Sequence, residues 1–268
     1  MKIFKKTSAK LNLFLEVTGK RTNGYHELES LVAFLDLADE IIFEPSSKLE
    51  FSSEIPDNII LKTARRLNEF SGTNKGAKIS LKKNIPIGGG LGGGSSDAAI
   101  TLVTLNEMWE LNLSHADLYK IALTLGADVP VCLYSILKNK PAAIFKGIGE
   151  IIEPAPQLPN LHILLVNPNI ELATEKVFKN FAFKPQTHSG DFYERRNDLE
   201  PAAIKLIPEI GTILKTIATQ PNCQLARMTG SGATCFGLFQ TAADAKAAYD
   251  KITSLYPKWW AQTAKLKD

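Results

Sequence analysis

Cysteine is scarce in this sequence: Cys132, Cys223 and Cys235 are the three cysteines among its 268 residues. Their spacing matches no zinc-binding pattern, which argues against a structural zinc site. The neighbours of Cys132 and Cys235 are apolar, and no strongly basic surroundings mark any of the three as a reactive thiolate. We therefore expect small core residues in a reducing compartment, and neither disulfides nor a catalytic thiol.

Long apolar runs and a strong charge of either sign are also missing. No segment approaches the length of a membrane span, and polar residues interrupt the apolar positions after the N-terminal lysines, unlike the core of a signal peptide. The formal net charge is +3, which is too small to indicate nucleic-acid binding by itself. We expect a cytoplasmic protein of one large or two modest domains that binds neither membranes nor nucleic acid.

Glycine, by contrast, is concentrated at one place. Six of the 18 glycines lie within the seven residues from Gly88 to Gly94, directly before Ser95 and Ser96. The apolar stretch 98–105 that follows is typical of a buried helix. Free backbone N–H groups that lead into a helix N-terminus form an anion site, most often for phosphate. A flexible linker is disfavoured, because polar sequence would follow a linker.

Three familiar phosphate loops do not fit this glycine run. A P-loop needs a lysine before the Ser or Thr, where this sequence has Gly94. A dinucleotide-binding fold needs an acidic residue ~20 positions later at the end of a second strand, and the acids near that distance fall in the predicted helix. The H-R-D and D-F-G signatures of protein kinases do not occur. The run therefore predicts a polyphosphate site of another kind.

The patterns along the chain predict a mixture of helices and strands. Alternation over 11–17 predicts a strand on which Lys10 and Asn12 project from the same face. The remaining strands are predicted at 31–43, 77–83, 161–166, as a pair within 225–238, and at 260–265. The helices are predicted at 58–70 with Asp57 as cap, from 98 to about 111, from Ser114 to Gly126, at 174–181, at 200–218 with a break at Pro208, and at 242–255. Prolines at 154, 156 and 159 indicate a boundary, so we predict domains at 1–153 and 154–268.

Lys10, Asn12 and Asp128 are the first candidates for catalysis. Each has an ordinary explanation by itself: a lone lysine on a strand is most often solvated, and an aspartate just before Val129-Pro130 is expected on a short fixed loop. Phosphoryl transfer needs a cation for developing charge, a carboxylate beside the acceptor hydroxyl and a cradle for the polyphosphate. Together with the glycine run, these residues supply a candidate for each part.

Tyr25 and His26 follow a predicted turn at Asn23-Gly24. An aromatic ring and an imidazole at a loop tip suit stacking on a nucleobase and hydrogen bonding to its edge. From the residues alone, a partly buried tyrosine beside a surface histidine is the simpler interpretation. The four histidines are dispersed along the chain, which gives no indication of a metal site.

Three motifs resemble those of the GHMP small-molecule kinases. Segment 86–96 (PIGGGLGGGSS) resembles their phosphate-binding motif, segment 9–13 (AKLNL) their N-terminal motif, and segment 229–233 (TGSGA) their C-terminal glycine motif. The motifs occur in the family's order and span nearly the whole chain. More narrowly, Gly24-Tyr25-His26 and segment 125–130 (LGADVP) resemble the branch of the family whose acceptor carries a cytidine diphosphate.

The resemblance implies an α+β, two-domain GHMP kinase fold. The N-terminal domain would be similar to domain 2 of ribosomal protein S5, and the C-terminal domain would be ferredoxin-like. The implied activity is ATP-dependent phosphorylation, with magnesium, of the tertiary 2-hydroxyl of a CDP-linked methylerythritol in non-mevalonate isoprenoid synthesis. The implied partner is that small molecule, and the protein would be a monomer or a homodimer.

The resemblance also implies roles for individual residues. Asp128 would be the catalytic base, Lys10 its partner, and Asn12 would help to orient the substrate. Residues near the nucleotide would be Asn58, Lys83, Pro86, Ile87, Gly88, Gly89, Gly90, Leu91, Gly92, Gly93, Gly94, Ser95 and Ser96. No metal ligand is firmly assigned, although Ser95 offers a hydroxyl on the magnesium side.

The acceptor's cytosine would be held by aromatic residues. Tyr25 would stack on the base and His26 would bind its edge. Phe178 would form the opposite stacking face, with Thr174 nearby. The match to the family is weakest over 172–196, where segment 174–178 is the single anchor.

Two alternatives remain open from the sequence. The first is another GHMP kinase acting on mevalonate, homoserine or a sugar. The second is a non-enzymatic RNA-binding protein, because the N-terminal half of such kinases is similar in fold to a ribosomal protein domain. The near-neutral charge balance argues against the second.

Overall fold

The computed structural model describes residues 2–53, 58–183 and 190–267. In chain order, the first part contains β1 (Ile3–Lys20), β2 (His26–Ser46), β3 (Leu49–Ser52), α1 (Ile59–Ser71), β4 (Gly76–Lys82), α2 (Gly93–Met108), α3 (His115–Leu125), α4 (Val129–Lys138), β5 (Ala142–Gly147) and β6 (Ile151–Pro154). The second part contains β7 (His162–Asn167), α5 (Thr174–Asn180), α6 (Glu200–Leu206), α7 (Glu209–Ala218), β8 (Cys223–Met228), β9 (Cys235–Phe239), α8 (Ala242–Leu255) and β10 (Trp260–Lys265). The α+β class agrees with the prediction.

The first sheet is organised around the long strand β2. One edge of β2 pairs antiparallel with β1 from Ile3↔Phe43 to Lys20↔His26. Its other edge pairs with β5 at residues 28–33 and with β4 at residues 40–46. β3 extends the sheet beside β4, and β6 extends it beside β5. Helices α1 to α4 cover this sheet and share one apolar core with it.

The second sheet has the order β10-β7-β9-β8, with antiparallel neighbours throughout. Helices α7 and α8 pack on it around a core that includes Ile213, Ile217 and Ile252. A third apolar cluster joins the two sheets, because Leu11 and Leu13 of β1 pack there with Phe236 of β9. Residues 9–17 are therefore buried on both faces of β1, and polar side chains in this strand need partners.

The first domain differs from the sequence prediction at several places, and strands β3, β5 and β6 were not predicted. Helix α2 begins at Gly93 and not at residue 98, so the last glycines of the run form its first turn. Helix α4 was not predicted at all, and Asp128 lies at its N-cap. The cap of α1 is Asn58, whose side chain accepts a hydrogen bond from the Ile60 N–H at 2.9 Å; Asp57, the predicted cap, lies outside the described residues.

Other local predictions are confirmed. Ser114 caps α3 in a capping box with Asp117, and Gly126 closes that helix. The helical segment after residue 200 is broken at Pro208 into α6 and α7. The first sheet ends at Pro154 and the second starts at His162; the domain limits of 1–153 and 154–268 stay a prediction.

Among the described helices, none combines the length and the apolar character that crossing a membrane requires. All three cysteines are free thiols, with Cys132 and Cys235 buried and Cys223 half-buried. Burial raises the pKa of the Cys132 thiol to about 12, so this side chain is a small core residue, as the sequence predicted.

Candidate active site

A cleft of about 530 Å³ lies where the two sheets meet. Most of the nucleotide- and acceptor-binding residues expected from the sequence reach it. Its lining includes Lys10, Asn58, Lys83, Asp128, Thr174, Phe178, the segment Pro86 to Ser95, and Gly230 with Ser231. Residues from both ends of the chain therefore meet in one concave surface, the usual form of a small-molecule site.

The glycine run forms a bend that ends in the N-terminus of α2. Gly92 is the N-cap, in the left-handed conformation with φ 60°. Within the described part of the chain, no hydrogen bond uses the N–H groups of Gly93, Gly94 or Ser95, whereas the Ser96 N–H already donates to the Gly92 carbonyl at 3.0 Å. Three free N–H groups at the positive end of a 16-residue helix form an anion site.

A second glycine loop, residues 229–234, supports the bend from the C-terminal domain. The Thr234 N–H donates to the Gly89 carbonyl at 3.2 Å. A side chain at Gly90 would begin 2.6 Å from the Thr229 carbonyl oxygen and 2.9 Å from that of Gly232. Backbone therefore packs directly on backbone between the two domains, which explains why this part of both motifs consists of glycine.

Lys10 and Asp128 form an ion pair at the cleft, with 3.0 Å between the Lys10 ammonium and the Asp128 Oδ2. The Lys10 side chain is 3% exposed and that of Asp128 is 31% exposed. The Lys10 ammonium also donates to Asn12 Oδ1 at 2.6 Å, and the Lys10 backbone N–H donates to the Leu91 carbonyl at 2.8 Å. The cation is thus fixed beside the bend, and the carboxylate remains accessible to a substrate.

Asn12 is buried and connects this pair to both domains. Its backbone N–H donates to the Thr229 hydroxyl at 2.9 Å. Its side-chain amide donates to the Ser30 hydroxyl at 2.8 Å, and that hydroxyl donates to the Phe14 carbonyl. Lys10 and Asn12 share one face of β1, as the alternation predicted. In this structure Asn12 supports Lys10 directly and is not part of the cleft lining.

Lys83 lines the cleft and lies between two buried carboxylates. Its ammonium forms an ion pair with Asp39 and a second one with Asp97 Oδ2 at 3.1 Å. Asp97 also accepts a hydrogen bond from the Thr7 hydroxyl at 2.6 Å. Burial raises the pKa of the Asp97 carboxyl to about 6, with Lys83 opposing the shift and Asp39 adding to it.

Ser95 and Ser96 are placed differently. Ser95 is half-buried and lines the cleft. The Ser96 hydroxyl donates to the Ser8 carbonyl at 2.7 Å, on the side away from the cleft, and its side chain is buried. In the structure Ser96 therefore ties the first turn of α2 to β1, while the predicted role beside the nucleotide remains a prediction.

The aromatic residues expected at the acceptor's base lie at one end of the same region. His26 stacks on Phe178 with 5.1 Å between ring centroids and meets Phe181 edge-on at 5.7 Å. Tyr25 is 63% exposed on the preceding turn and contributes no ring contact among the described residues. Partial burial lowers the pKa of His26, with Lys20 contributing, so a neutral imidazole is available.

Thr174 begins α5, and its hydroxyl lies 2.7 Å from that of Ser231 in the second glycine loop. This contact links the start of α5 to the loop that packs on the glycine bend. Thr174 and Phe178 lie one helical turn apart and both line the cleft. The sequence analysis also placed Thr174 near Phe178.

Several residues that build this site were not identified from the sequence. Asp39 and Asn197 are buried polar groups, and Asn197 donates to the carbonyls of Met228 and Gly230 at 2.8 Å each. Asp39 stands in a predicted strand with Asp36 and Glu40 nearby, and a carboxylate there is a weak signal until its burial is known. Asp97 follows the serines of the motif directly and was within reach of the sequence argument.

No trio of His, Cys, Asp or Glu side chains that could enclose a metal ion occurs in the part of the chain that the structure describes. The charged groups at the bend include the cations Lys10 and Lys83 and the carboxylates of Asp39, Asp97 and Asp128. The protein thus offers oriented N–H groups and two held ammonium groups for an anion.

Comparison with known proteins identifies the family. Residues 58–135 match the model described as "GHMP kinases N terminal domain", and residues 186–258 match "GHMP kinases C terminal". The chain is 43% identical to a 4-diphosphocytidyl-2-C-methyl-D-erythritol kinase of Paramagnetospirillum magneticum, over 96% of both chains. It is 41% identical to the Rhodospirillum rubrum enzyme of the same name, over 96% of this chain and 90% of that one.

A solved structure gives the same result. The crystal structure of a 4-(cytidine 5'-diphospho)-2C-methyl-D-erythritol kinase superimposes with a TM-score of 0.83 at 30% identity, covering 99% of this chain and 100% of the other. The two-domain GHMP kinase fold predicted from the sequence is therefore confirmed. The chain belongs to the GHMP kinases and, within them, to the 4-diphosphocytidyl-2-C-methyl-D-erythritol kinase family.

Proposed function

We propose that this chain transfers the γ-phosphoryl group of ATP to the 2-hydroxyl of 4-diphosphocytidyl-2-C-methyl-D-erythritol, a step of non-mevalonate isoprenoid precursor synthesis. The observation that carries the proposal is the Lys10–Asp128 pair, 3.0 Å apart, in the cleft that the glycine bend lines. A carboxylate, a cation and an anion-binding helix terminus meet at one place, which is the set of groups that phosphoryl transfer requires.

The bend holds the triphosphate in this proposal. The N–H groups of Gly93, Gly94 and Ser95 point to the phosphate oxygens, and the dipole of α2 adds a favourable field. Lys83 and Asn58 lie at the nucleotide end of the cleft. Positioning and electrostatic stabilisation carry most of the catalysis, because the loose transition state of phosphoryl transfer needs little covalent help from the protein.

Asp128 receives the proton of the acceptor hydroxyl as the new O–P bond forms. Its partly exposed carboxylate can reach a substrate, whereas the buried Lys10 ammonium beside it stabilises the negative charge that develops on the acceptor oxygen. Asn12 holds that ammonium in place through the 2.6 Å hydrogen bond. The leaving group is ADP, whose phosphates remain on the amides of the bend.

Magnesium would be bound mainly by the phosphates and by water, which is the usual coordination of this ion in kinases. The described residues fit that arrangement, because they offer single oxygen donors at the cleft and no enclosed carboxylate cage. The Ser95 hydroxyl, half-buried in the cleft lining, is the protein oxygen that we propose on the magnesium side. Magnesium would neutralise part of the triphosphate charge.

The acceptor's cytosine occupies the aromatic end of the cleft in this proposal. Tyr25 is exposed enough to cover a base, and Phe178 offers a face that His26 now contacts. A neutral His26 can both donate and accept a hydrogen bond, which suits the edge of cytosine.

Three free cysteines support a reducing, cytoplasmic setting.

Other acceptors are the alternative within the same family of kinases. The fold is shared with a homoserine kinase of Cytophaga hutchinsonii, which has a TM-score of 0.73 at 16% identity, so fold alone does not choose the acceptor. The cytidylated acceptor, mevalonate, homoserine and galactose should be compared at matched ATP. Turnover of any of the last three above that of the cytidylated acceptor would refute the proposed substrate.

The direct test of the catalytic pair is Asp128→Asn. Asp128 caps α4 without a side-chain hydrogen bond to the helix, and the amide oxygen of asparagine can still accept from the Lys10 ammonium, so we expect the isosteric variant to fold. We expect kcat to fall ~10²-fold or more, with a much smaller change in the KM of either substrate. Asp250→Asn, which removes the carboxylate of an exposed Lys–Asp pair, is the matched control. Near-normal turnover of Asp128→Asn removes this residue from the mechanism.

A further inference from the structure

Asp39 makes an unusual set of contacts for a side chain in the middle of a strand. It lies on β2, is fully buried, and its two oxygens contact three consecutive residues. Oδ1 accepts the backbone N–H groups of Asn84 at 2.6 Å and of Ile85 at 2.8 Å, and Oδ2 accepts the Lys83 ammonium. These residues connect β4 to the glycine bend.

The position of Asp39 explains this arrangement. The last backbone pair between β2 and β4 is Glu40↔Lys82. Beyond it the chain leaves the sheet, and the next N–H groups no longer face backbone carbonyls of β2. These N–H groups donate to the Asp39 carboxylate instead, so a side chain of β2 replaces its backbone as the acceptor. Hydrogen bonds to a charged acceptor are stronger than those to a neutral one.

The same contacts reach the other end of the bend. A Cβ on Gly93 would lie 3.0 Å from the Lys83 ammonium, 3.1 Å from Ile85 Cγ2 and 3.2 Å from Asp39 Oδ2. Lys83 also binds Asp97 Oδ2 at 3.1 Å, in the first turns of α2. The entry to the bend and its exit into α2 therefore rest on one buried carboxylate and the ammonium that it holds.

We propose that Asp39 is a positioning residue for the nucleotide: it fixes residues 83–85 against Gly93 and thereby sets the geometry of the phosphate-binding amides. The inference rests on the proposed function in that the bend is taken to bind ATP. Asp39 does not line the cleft, so it acts through the bend and not by contact with the substrate. Loss of the Asp39 carboxylate should therefore weaken nucleotide binding more than catalysis, because the Lys10–Asp128 pair is held by other residues.

Asp39→Asn is the informative variant. Both sides of the Asp39 carboxylate face donors, namely two backbone N–H groups and an ammonium. An amide has one acceptor and one donor end and therefore cannot satisfy both sides. We expect the affinity for a non-hydrolysable ATP analogue with Mg²⁺ to fall about tenfold or more in titration calorimetry, equivalent to about 1.4 kcal/mol per tenfold. The KM for ATP should rise, while kcat and the acceptor KM change by less than about threefold.

Two further variants make the test specific. Glu40→Gln changes the neighbouring residue, whose pair with Lys82 is exposed and does not touch the bend, and it should bind the analogue like wild type. Asp97→Asn removes a carboxylate that contacts Lys83 and Thr7 but no backbone N–H of the entry segment, so its effect on affinity should be clearly smaller than that of Asp39→Asn. Equal loss in Asp39→Asn and Asp97→Asn, or wild-type affinity in Asp39→Asn, overturns the inference.

A measurement on the unaltered protein covers the case in which Asp39→Asn does not fold. If the entry segment sets the geometry of the nucleotide site, nucleotide binding must in turn stabilise it, because linkage is reciprocal. Hydrogen exchange of the Asn84 and Ile85 amides should slow on addition of the analogue, and unchanged exchange contradicts the proposal. Wild type that fails to bind the analogue at all refutes the proposed function instead, so the two failures are distinguishable.

Discussion

A methyl group at Gly92 tests whether the bend holds Lys10, the lysine that we propose for catalysis, in place. Gly92 has φ +60°, and a Cβ built there would collide with Lys10 Cγ and lie 2.8 Å from Lys10 Cε. Lys10 cannot turn aside, because its backbone N–H is bonded to Leu91 and its ammonium to Asn12 and Asp128. Gly92→Ala must therefore move either the bend or the ammonium group.

Gly92→Ala has two costs, the backbone strain at a positive φ and the collision with Lys10, and a control variant separates them. A non-glycine residue in the left-handed region costs about 1–2 kcal/mol. Gly72→Ala has the same cost, since Gly72 caps α1 at φ +65°, but no atom lies within 4 Å of its added Cβ. The collision with Lys10 is thus confined to Gly92→Ala. A displacement of ~1 Å between reacting groups can reduce the rate ~10²-fold, so we expect a loss of that order in kcat.

The assay compares both variants with wild type in steady-state turnover and in urea unfolding. Gly72→Ala should lose about 1–2 kcal/mol of unfolding free energy and keep its kcat. Gly92→Ala should lose more stability and most of its kcat. The reasoning is refuted if the two variants lose equal stability and Gly92→Ala turns over within about twofold of wild type.

Two further predictions follow from the site. Burial raises the pKa of Asp97 from 3.8 to about 6, so its favourable contribution to stability is complete below about pH 4 and is lost as the pH rises through 6. Asp97→Asn should remove this loss of unfolding free energy, which is on the order of 3 kcal/mol for a shift of about two pKa units. The prediction is contradicted if the unfolding free energies of variant and wild type change with pH in the same way between pH 4 and 7. Tyr25→Ala, at an exposed ring, should raise the KM for the cytidylated acceptor and leave ATP affinity and stability nearly unchanged, and equal damage to both substrates would rule out stacking on the base.

Much of the local structure could be predicted because its causes are local. Helix α8 and strand β10 have the predicted bounds. The capping box at Ser114 and the break at Pro208 follow from side chains that act within one turn. The start of α2 was placed too late, because glycine has a poor helix propensity. The structure shows why glycine stands there: an added Cβ at Gly93 would lie 3.0 Å from the Lys83 ammonium and 3.1 Å from Ile85 Cγ2.

The candidate site was predictable in its parts but not in its connections. The bend could be named because its glycines are visible in the sequence, and Lys10 and Asp128 could be named because the segments that contain them resemble motifs of the GHMP kinases. Of the two carboxylates that hold Lys83, Asp39 could not be recognised in this way, since it looks like any polar residue in a strand until its neighbours are known. The contact of His26 with Phe178 depends in the same way on the packing of α5 against the start of β2.

The sequence by itself determined most of the elements and the glycine bend, because glycine content, alternation and caps act over a few residues, and its motifs indicated the family by their resemblance to the GHMP kinases. Tertiary structure alone decided that β1 is buried on both faces between two sheets, so that Lys10 loses water and must pair with Asp128 and Asn12. The physical reason is that burial turns an ordinary lysine into a fixed cation, and burial is a property of the whole fold.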